Sequence, residues 1–70
     1  SLEEEKNIGQ IKEKEAEANF NIAQFYEKQL ALDSAKIYYN DIINNYPESP
    51  WAAQAAARLQ IMERKNEKKN

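Results

Sequence analysis

The sequence predicts an all-α fold, in which two antiparallel helices form a hairpin and a third helix follows. Only one glycine and two prolines occur among the 70 residues, so the chain has few of the residues that form β-hairpin turns. Apolar side chains recur every three or four residues, which is the spacing of one face of an α-helix. We predict a single unit over residues 1–70, with helices at about 3–30, 34–46 and 50–66. Because a core of this size seldom supplies more than ~3–5 kcal/mol, we expect the unit to be marginally stable alone.

The first predicted helix has apolar side chains on two sides. One set advances by threes, fours and one seven, and comprises Ile8, Ile11, Ala18, Ile22, Phe25 and Tyr26. The other set comprises Phe20, Ala23 and Leu30. A helix with two apolar sides commonly packs between two neighbours. We expect Ile22, Ala23 and Tyr26 to point inward, toward the second helix.

The second predicted helix has the clearest period in the chain. Its inward face is predicted to comprise Ala35, Tyr38, Tyr39, Ile42, Ile43 and Tyr46. Asp33 is the expected N-cap, because its carboxylate can accept a backbone N–H of the first turn that has no other partner. Pro47 is expected to end the helix, since the residue before a proline is pushed out of the α region.

Ser49 and Pro50 predict the start of the third helix. Serine is a good N-cap, and proline at the first helical position loses only an N–H that would have had no partner. The inward face is predicted to comprise Ala52, Ala55, Ala56, Leu59 and Met62. This many alanines would allow a neighbouring helix to approach closely.

Charge and composition argue against several classes of function. A formal net charge of −2 favours neither nucleic acid nor an anionic membrane surface as a partner. The sequence contains no run of about 18 apolar residues, which is the length that a membrane-spanning helix needs. The acidic start at residues 3–5 and the basic end at Arg64, Lys65, Lys68 and Lys69 complement the dipoles of the terminal helices. Cysteine and histidine are both absent, so the chain lacks thiolates and the commonest metal ligand and general base.

No catalytic arrangement is present in the sequence. Glu13 and Glu17 share a helix face four residues apart, but no base or nucleophile accompanies them. The serines have no histidine partner for a triad, and no glycine-rich loop could hold a phosphate. We therefore predict a non-enzymatic protein that needs no cofactor and no metal.

Residues 22–47 carry a repeat signature. Its six matching positions are Ile22, Ala23, Tyr26, Ala35, Tyr39 and Pro47. The leading position of the pattern, which holds tryptophan, is Asn19 in this chain. The run resembles a tetratricopeptide (TPR) repeat, a pair of helices that stacks on other pairs in an α-solenoid and serves protein binding. On this resemblance the third helix caps the unit or begins the next repeat.

A closer resemblance covers about residues 18–59. The segments that carry it are Ile22-Ala23-Gln24-Phe25-Tyr26, Ala35 to Tyr39, Tyr46-Pro47-Glu48-Ser49, and Ala55 with Arg58-Leu59. Together they resemble the outer-membrane assembly lipoproteins of the BamD (YfiO) type. The chain departs from that family in having one repeat with a following helix, and in lacking the lipid-attachment cysteine.

The resemblance implies a scaffold in the periplasm of a bacterium, held at the outer membrane through the N-terminus of its parent protein. Its implied partner is the central barrel-assembly protein, and its implied role is to help insert β-barrels into the outer membrane. Since the chain opens on Ser1 without methionine, we expect it to be a processed or excised part of a longer protein.

The predicted partner-binding surface is the groove that the first helix of each pair lines in TPR arrays. From the assumed inward face, the groove residues are predicted to be Glu17, Phe20, Gln24 and Glu27 on the first helix, and Gln54, Arg58 and Ile61 on the third. For Phe20 the alternative is packing against a preceding helix. Trp51, in the first turn of the third helix, is either a local packing residue or an exposed binding hot spot.

Two other functions fit the same pattern. One is a different periplasmic TPR adaptor, such as a cell-division coordinator of the Tol-Pal kind. The other is a structural self-association module, in which the apolar stripes of the first and third helices are buried against copies of the same chain. In that case residues 31–33 could also straighten and exchange helices between chains.

Overall fold

A computed structural model describes residues 2–68, and over these residues the chain folds into three helices and no strand. The helices are α1 (Leu2–Lys28), α2 (Leu32–Asn45) and α3 (Pro50–Lys68). The all-α prediction is confirmed. Ser1, Lys69 and Asn70 lie outside the described residues, and with them the ends of the predicted unit and one lysine of the predicted basic end.

The core lies where all three helices meet. Its buried side chains are Ala16, Phe20 and Ala23 from α1, Ala35, Tyr39 and Ile42 from α2, and Ala52, Ala55 and Met62 from α3. Five of the nine are alanines, so the helices approach closely around a few large side chains. Tyr39 and Ile42 are the largest of the fully buried residues. The predicted inward face of α2 is therefore correct at its centre, while Tyr38, Ile43 and Tyr46 are half-buried at its edges.

The predicted inward face of α1 is correct at Ala23, which is buried, and at Tyr26, which packs against the core, but it is wrong at Ile22. Ile22 and Phe25 are 38% and 59% exposed, whereas Phe20 is only 4% exposed. Phe20 points into the core because its ring meets Tyr39 at 5.5 Å and Trp51 at 5.1 Å, between ring centroids. Phe20 and Ala23 of the smaller predicted set thus supply the packing face, whereas Leu30 of that set is exposed. In the larger set Tyr26 packs against the core, and the other members are exposed.

α1 ends earlier than predicted, in a turn that contains the one positive φ among the described residues. Leu30 has φ of 61°. Its N–H bonds to the carbonyl of Glu27 at 3.0 Å, and the N–H of Ala31 bonds to the carbonyl of Tyr26 at 2.9 Å. These two bonds form a Schellman motif, which needs a left-handed residue at this position. The side chain of Leu30 is 79% exposed and gains little from packing.

We expect Leu30→Gly to raise the free energy of unfolding by about 1 kcal/mol. A left-handed backbone costs leucine roughly 1–2 kcal/mol, and glycine adopts it without this cost, although glycine adds entropy to the unfolded chain. Urea denaturation followed by far-UV circular dichroism measures the change. Leu30→Ala is the matched control, because it removes the same exposed side chain but keeps the strained backbone. Equal stabilities of the two variants would contradict this explanation.

The start of α2 differs from the prediction. Asp33 lies inside the first turn, and the cap position is Ala31, which makes no side-chain capping bond. Because the preceding turn already leads into the helix at Ala31, whose carbonyl accepts the N–H of Ala35 at 3.0 Å, no side chain is needed to begin it. Asp33 instead places a negative charge near the positive end of the helix dipole.

The start of α3 agrees with the prediction, and one residue of its inward face does not. The Oγ of Ser49 accepts a hydrogen bond from the N–H of Trp51 at 3.1 Å, as expected of an N-cap. Ala56, predicted to face inward, is exposed. It lies one residue beyond the buried Ala55, on the side of α3 that neither α1 nor α2 covers.

α1 is nearly twice as long as α2, with 27 residues against 14. Its first turns therefore extend past the end of the hairpin, and the unit is elongated, with dimensions of 53 × 18 × 13 Å. Every residue from 2 to 15 is exposed. These turns carry Ile8 and Ile11, so apolar side chains lie on the part of α1 that is farthest from the core.

Candidate protein-binding surfaces

α1 and α3 are joined by an aromatic contact at one level and a charged contact at another. The ring of Phe20 meets the indole of the half-buried Trp51. About two helical turns further along α1, Glu27 forms an ion pair with Arg58 of α3, and Nε of Arg58 donates to Oε1 of Glu27 at 3.2 Å. The two contacts hold α3 beside α1 as well as beside α2.

Glu27 is the centre of a hydrogen-bonded network that links all three helices. Its Oε1 also accepts a hydrogen bond from the hydroxyl of Tyr39 at 2.7 Å. The side chain of Glu27 is 14% exposed, and that of Arg58 is 34% exposed. The hydrogen bond from Arg58 holds the pKa of the Glu27 carboxyl below its usual value. Burial, and then the bond to Glu27, raise the pKa of Tyr39 far above its usual value.

The predicted groove residues other than Phe20 fall into three groups. Glu27 of α1 and Arg58 of α3 were both predicted to face a partner, but they bind each other. Glu17 and Gln54 are exposed, and Gln24 and Ile61 are half-buried.

Phe20 was predicted to face the groove and does not. At 4% exposure it belongs to the core, and a partner could not reach its ring. Phe20 packs instead, as the alternative prediction held, but its neighbours are Tyr39 and Trp51 of this unit rather than a preceding helix.

An open cleft of about 280 Å³ lies along the α1 side of Trp51. It is lined by Gln10, Glu13, Lys14, Glu17 and Trp51. We call it the α1–α3 cleft. Of the predicted groove residues it contains only Glu17. Gln10 and Glu13 lie seven and four residues before Glu17, so the same helical spacing could have identified them.

A second cleft, of about 500 Å³, lies between α1 and the turn that joins α2 to α3. Its lining comprises Gly9, Lys12, Glu13 and residues 45–50. A methyl group added at Gly9 would meet nothing within 4 Å, so this glycine is not required by a close approach. Glu13 lines both clefts, which places them on adjoining sides of the same stretch of α1.

The uncovered side of α1 carries a second candidate surface. It comprises Ile8, Ile11, Ala18, Ile22 and Phe25, all exposed, and we call it the outer stripe. Ile8, Ile11 and Phe25 are each more than half exposed. At 3.6 residues per turn, the outer stripe lies about 150° around the helix axis from the buried face of Ala16, Phe20 and Ala23. One side of α1 therefore packs the core, and the other side is apolar without a neighbour.

Among residues 2–68, no cluster of carboxylates could hold a metal ion. No helix in that part of the chain is long and apolar enough to cross a membrane. No family model, curated protein or solved structure matches the chain.

Proposed function

We propose that the chain is a protein-binding scaffold module, and that a polypeptide segment of its partner docks in the α1–α3 cleft. The observation that carries this proposal is the packing of α3 beside α1, which leaves an open cleft between four residues of α1 and Trp51 of α3. The cleft offers two carboxylates, an ammonium group, an amide and an indole edge within one short stretch. These groups suit the backbone and mixed side chains of a peptide, and Trp is a frequent binding hot spot.

The polar groups that join the three helices are arranged for structure rather than for chemistry. The carboxylate of Glu27 is already bound by Arg58 and Tyr39. The hydroxyl of Tyr39 is buried and its pKa is raised, so it stays protonated at neutral pH and cannot act as a general base. Since the sequence contains neither histidine nor cysteine, we propose that the module acts without catalysis.

The resemblance of residues 18–59 to BamD-type lipoproteins supports a more specific proposal. We propose a periplasmic setting at the outer membrane, reached through a longer parent protein, and the central barrel-assembly protein as the partner. Ile22, Phe25 and Tyr26 carry the helical part of that resemblance, and Tyr46-Pro47 the turn. The partner and the setting rest on these motifs, whereas the protein-binding role also rests on the cleft.

Trp51 supplies a direct test of docking, because it is the one tryptophan of the chain and lines the cleft. We expect the fluorine NMR signal of chain labelled with 5-fluorotryptophan to shift on titration with detergent-solubilised central barrel-assembly protein. The shift should saturate. Detergent alone, and an unrelated β-barrel protein in the same detergent, should leave the signal unchanged.

Charge reversal locates the site. Glu17→Lys changes the cleft and should weaken the titration several-fold, whereas Glu63→Lys, an exposed glutamate outside the cleft lining, should leave it unchanged. Circular dichroism checks that both variants remain helical. An unshifted Trp51 signal at saturating partner, or equal binding by the two variants, would overturn docking in this cleft.

A further inference from the structure

We propose that two copies of this chain pair in antiparallel orientation through the outer stripe of α1. The proposal goes beyond the function proposed above and does not depend on it, because the cleft and the stripe are different surfaces. An apolar surface along most of a long helix is more than a small monomer normally exposes.

The spacing of the stripe is that of a coiled coil. From Ile8 through Ile11, Glu15, Ala18 and Ile22 to Phe25 the intervals are three, four, three, four and three. This alternation keeps one seam of a helix facing a second helix, as in the a and d positions of a heptad. Glu15, which is not part of the outer stripe, is the one polar residue in this series. Its Oε2 accepts a hydrogen bond from the hydroxyl of Tyr46 at 2.9 Å, so the carboxylate turns toward α2 and its methylenes are left along the seam.

The stripe is complementary to itself in one antiparallel register. When α1 is turned end for end about a point between residues 16 and 17, Ile8 faces Phe25 of the second copy. Ile11 then faces Ile22, and Glu15 faces the small Ala18. Large apolar side chains meet large ones, as a two-fold interface requires of a single surface. A parallel, in-register pair would instead place Glu15 against Glu15, which brings like charges together.

The residues that border the seam agree with this register. Lys12 and Asn19 border one side, and Lys14 and Asn21 border the other. In the antiparallel pair each lysine lies across from an asparagine of the second copy, so no like charges meet. The amide of Asn19 already donates to Asp41 of α2 at 3.1 Å. The polar residues at the border therefore do not oppose the pairing.

The size of the stripe predicts a dimer of moderate affinity. The 18 residues from Ile8 to Phe25 give a seam about 27 Å long at 1.5 Å per residue. α2 and α3 pack on the Phe20 side of α1, and α2 reaches the edge of the seam where Tyr46 binds Glu15. The four large side chains are each 38–59% exposed before pairing. A single helix seam buries less than a typical stable interface, so we expect a dissociation constant on the order of 1–100 µM.

Sedimentation equilibrium of the chain tests the pairing. Between about 1 and 500 µM we expect a monomer–dimer equilibrium with a constant in that range. Ile22→Lys and Phe25→Lys, each on the stripe, should each weaken it at least tenfold. Ile37→Lys is the matched control, because Ile37 is 68% exposed on α2 and lies outside the stripe. Circular dichroism of each variant checks that the helices remain folded.

Cysteine cross-linking tests the orientation, since the natural chain has no cysteine. The double substitution Ile8→Cys with Phe25→Cys should oxidise to a covalent dimer, while Ile8→Cys alone should not. In the antiparallel register the two copies of residue 8 are about 26 Å apart, too far for a disulfide. A chain that remains monomeric at 500 µM, dimers that survive both lysine substitutions, or cross-linking through residue 8 alone would overturn the proposal.

Discussion

Phe20→Ala is expected to lower the free energy of unfolding by about 3–5 kcal/mol. The ring of Phe20 is 4% exposed and meets rings from both other helices, at 5.5 Å from Tyr39 and 5.1 Å from Trp51. Its removal would leave a cavity where α1, α2 and α3 join. Since the whole unit is expected to have a stability of ~3–5 kcal/mol, the variant should be largely unfolded at room temperature. Far-UV circular dichroism and urea denaturation measure the loss.

Phe25→Ala is the matched control, on the same helix and with the same change of side chain. Phe25 is 59% exposed and contacts only the neighbouring ring of Tyr26 among the described aromatic pairs. The expected change is about 0.5 kcal/mol or less. The comparison should be made at a concentration where the chain is monomeric, because Phe25 lies on the outer stripe. Equal losses in the two variants would contradict the assignment of the faces.

Glu27→Ala is expected to lower the free energy of unfolding by about 2–3 kcal/mol. The change leaves the hydroxyl of the fully buried Tyr39 without its acceptor and Arg58 without its ion-pair partner. The expected loss is smaller than for breaking a fully buried ion pair, because Arg58 is 34% exposed and can turn its charge toward water. Urea denaturation at pH 7 is the measurement. Glu17→Ala, an exposed glutamate of the same helix, should change the stability by about 0.5 kcal/mol or less.

The pH dependence provides a second measurement of the same network. The pKa of Glu27 is lower in the folded chain than in the unfolded chain, where it is about 4.3. The contribution of Glu27 to the free energy of unfolding is therefore fully present above the unfolded pKa. It is lost as the pH falls through the lower pKa of the folded chain. The pKa of Tyr39 is raised, so its contribution is present below about pH 10 and is lost as the pH rises above that value. In Glu27→Ala, both the loss of stability at acidic pH and the loss above about pH 10 should be smaller than in the natural chain. An unchanged pH profile would contradict the network.

Much of the fold could be predicted from the sequence, because the local signals for helices are strong. The period of α2 identified Ala35, Tyr39 and Ile42 as its buried centre, and Ser49 identified the start of α3. The turn after α1 could not be predicted, since leucine at position 30 is a poor residue for a left-handed backbone. The Asp33 cap failed for the same reason, because the turn enters α2 two residues before the aspartate.

The buried face of α1 could not be predicted from spacing alone. Both of its apolar sides have helical periodicity, and the outer one contains more large side chains. The choice depends on tertiary contacts, namely the close approach allowed by Ala16 and Ala23 and the ring contacts of Phe20. The pairing of Glu27 with Arg58 was missed for a similar reason. The two residues are 31 positions apart in the sequence. Both were predicted to line the same groove, but no contact between them was predicted.

The central claim is that α1 uses the face of Phe20 to pack against α2 and α3 and leaves the face of Ile22 and Phe25 uncovered. Nuclear Overhauser contacts measured on dilute, monomeric chain test this most directly, since the single tryptophan gives unambiguous indole signals. The ring protons of Phe20 should show strong contacts to Trp51 and Tyr39, at ring separations of 5.1 and 5.5 Å. Contacts from Ile22 to the core residues Tyr39 or Ile42, with none from Phe20 to Trp51, would contradict it.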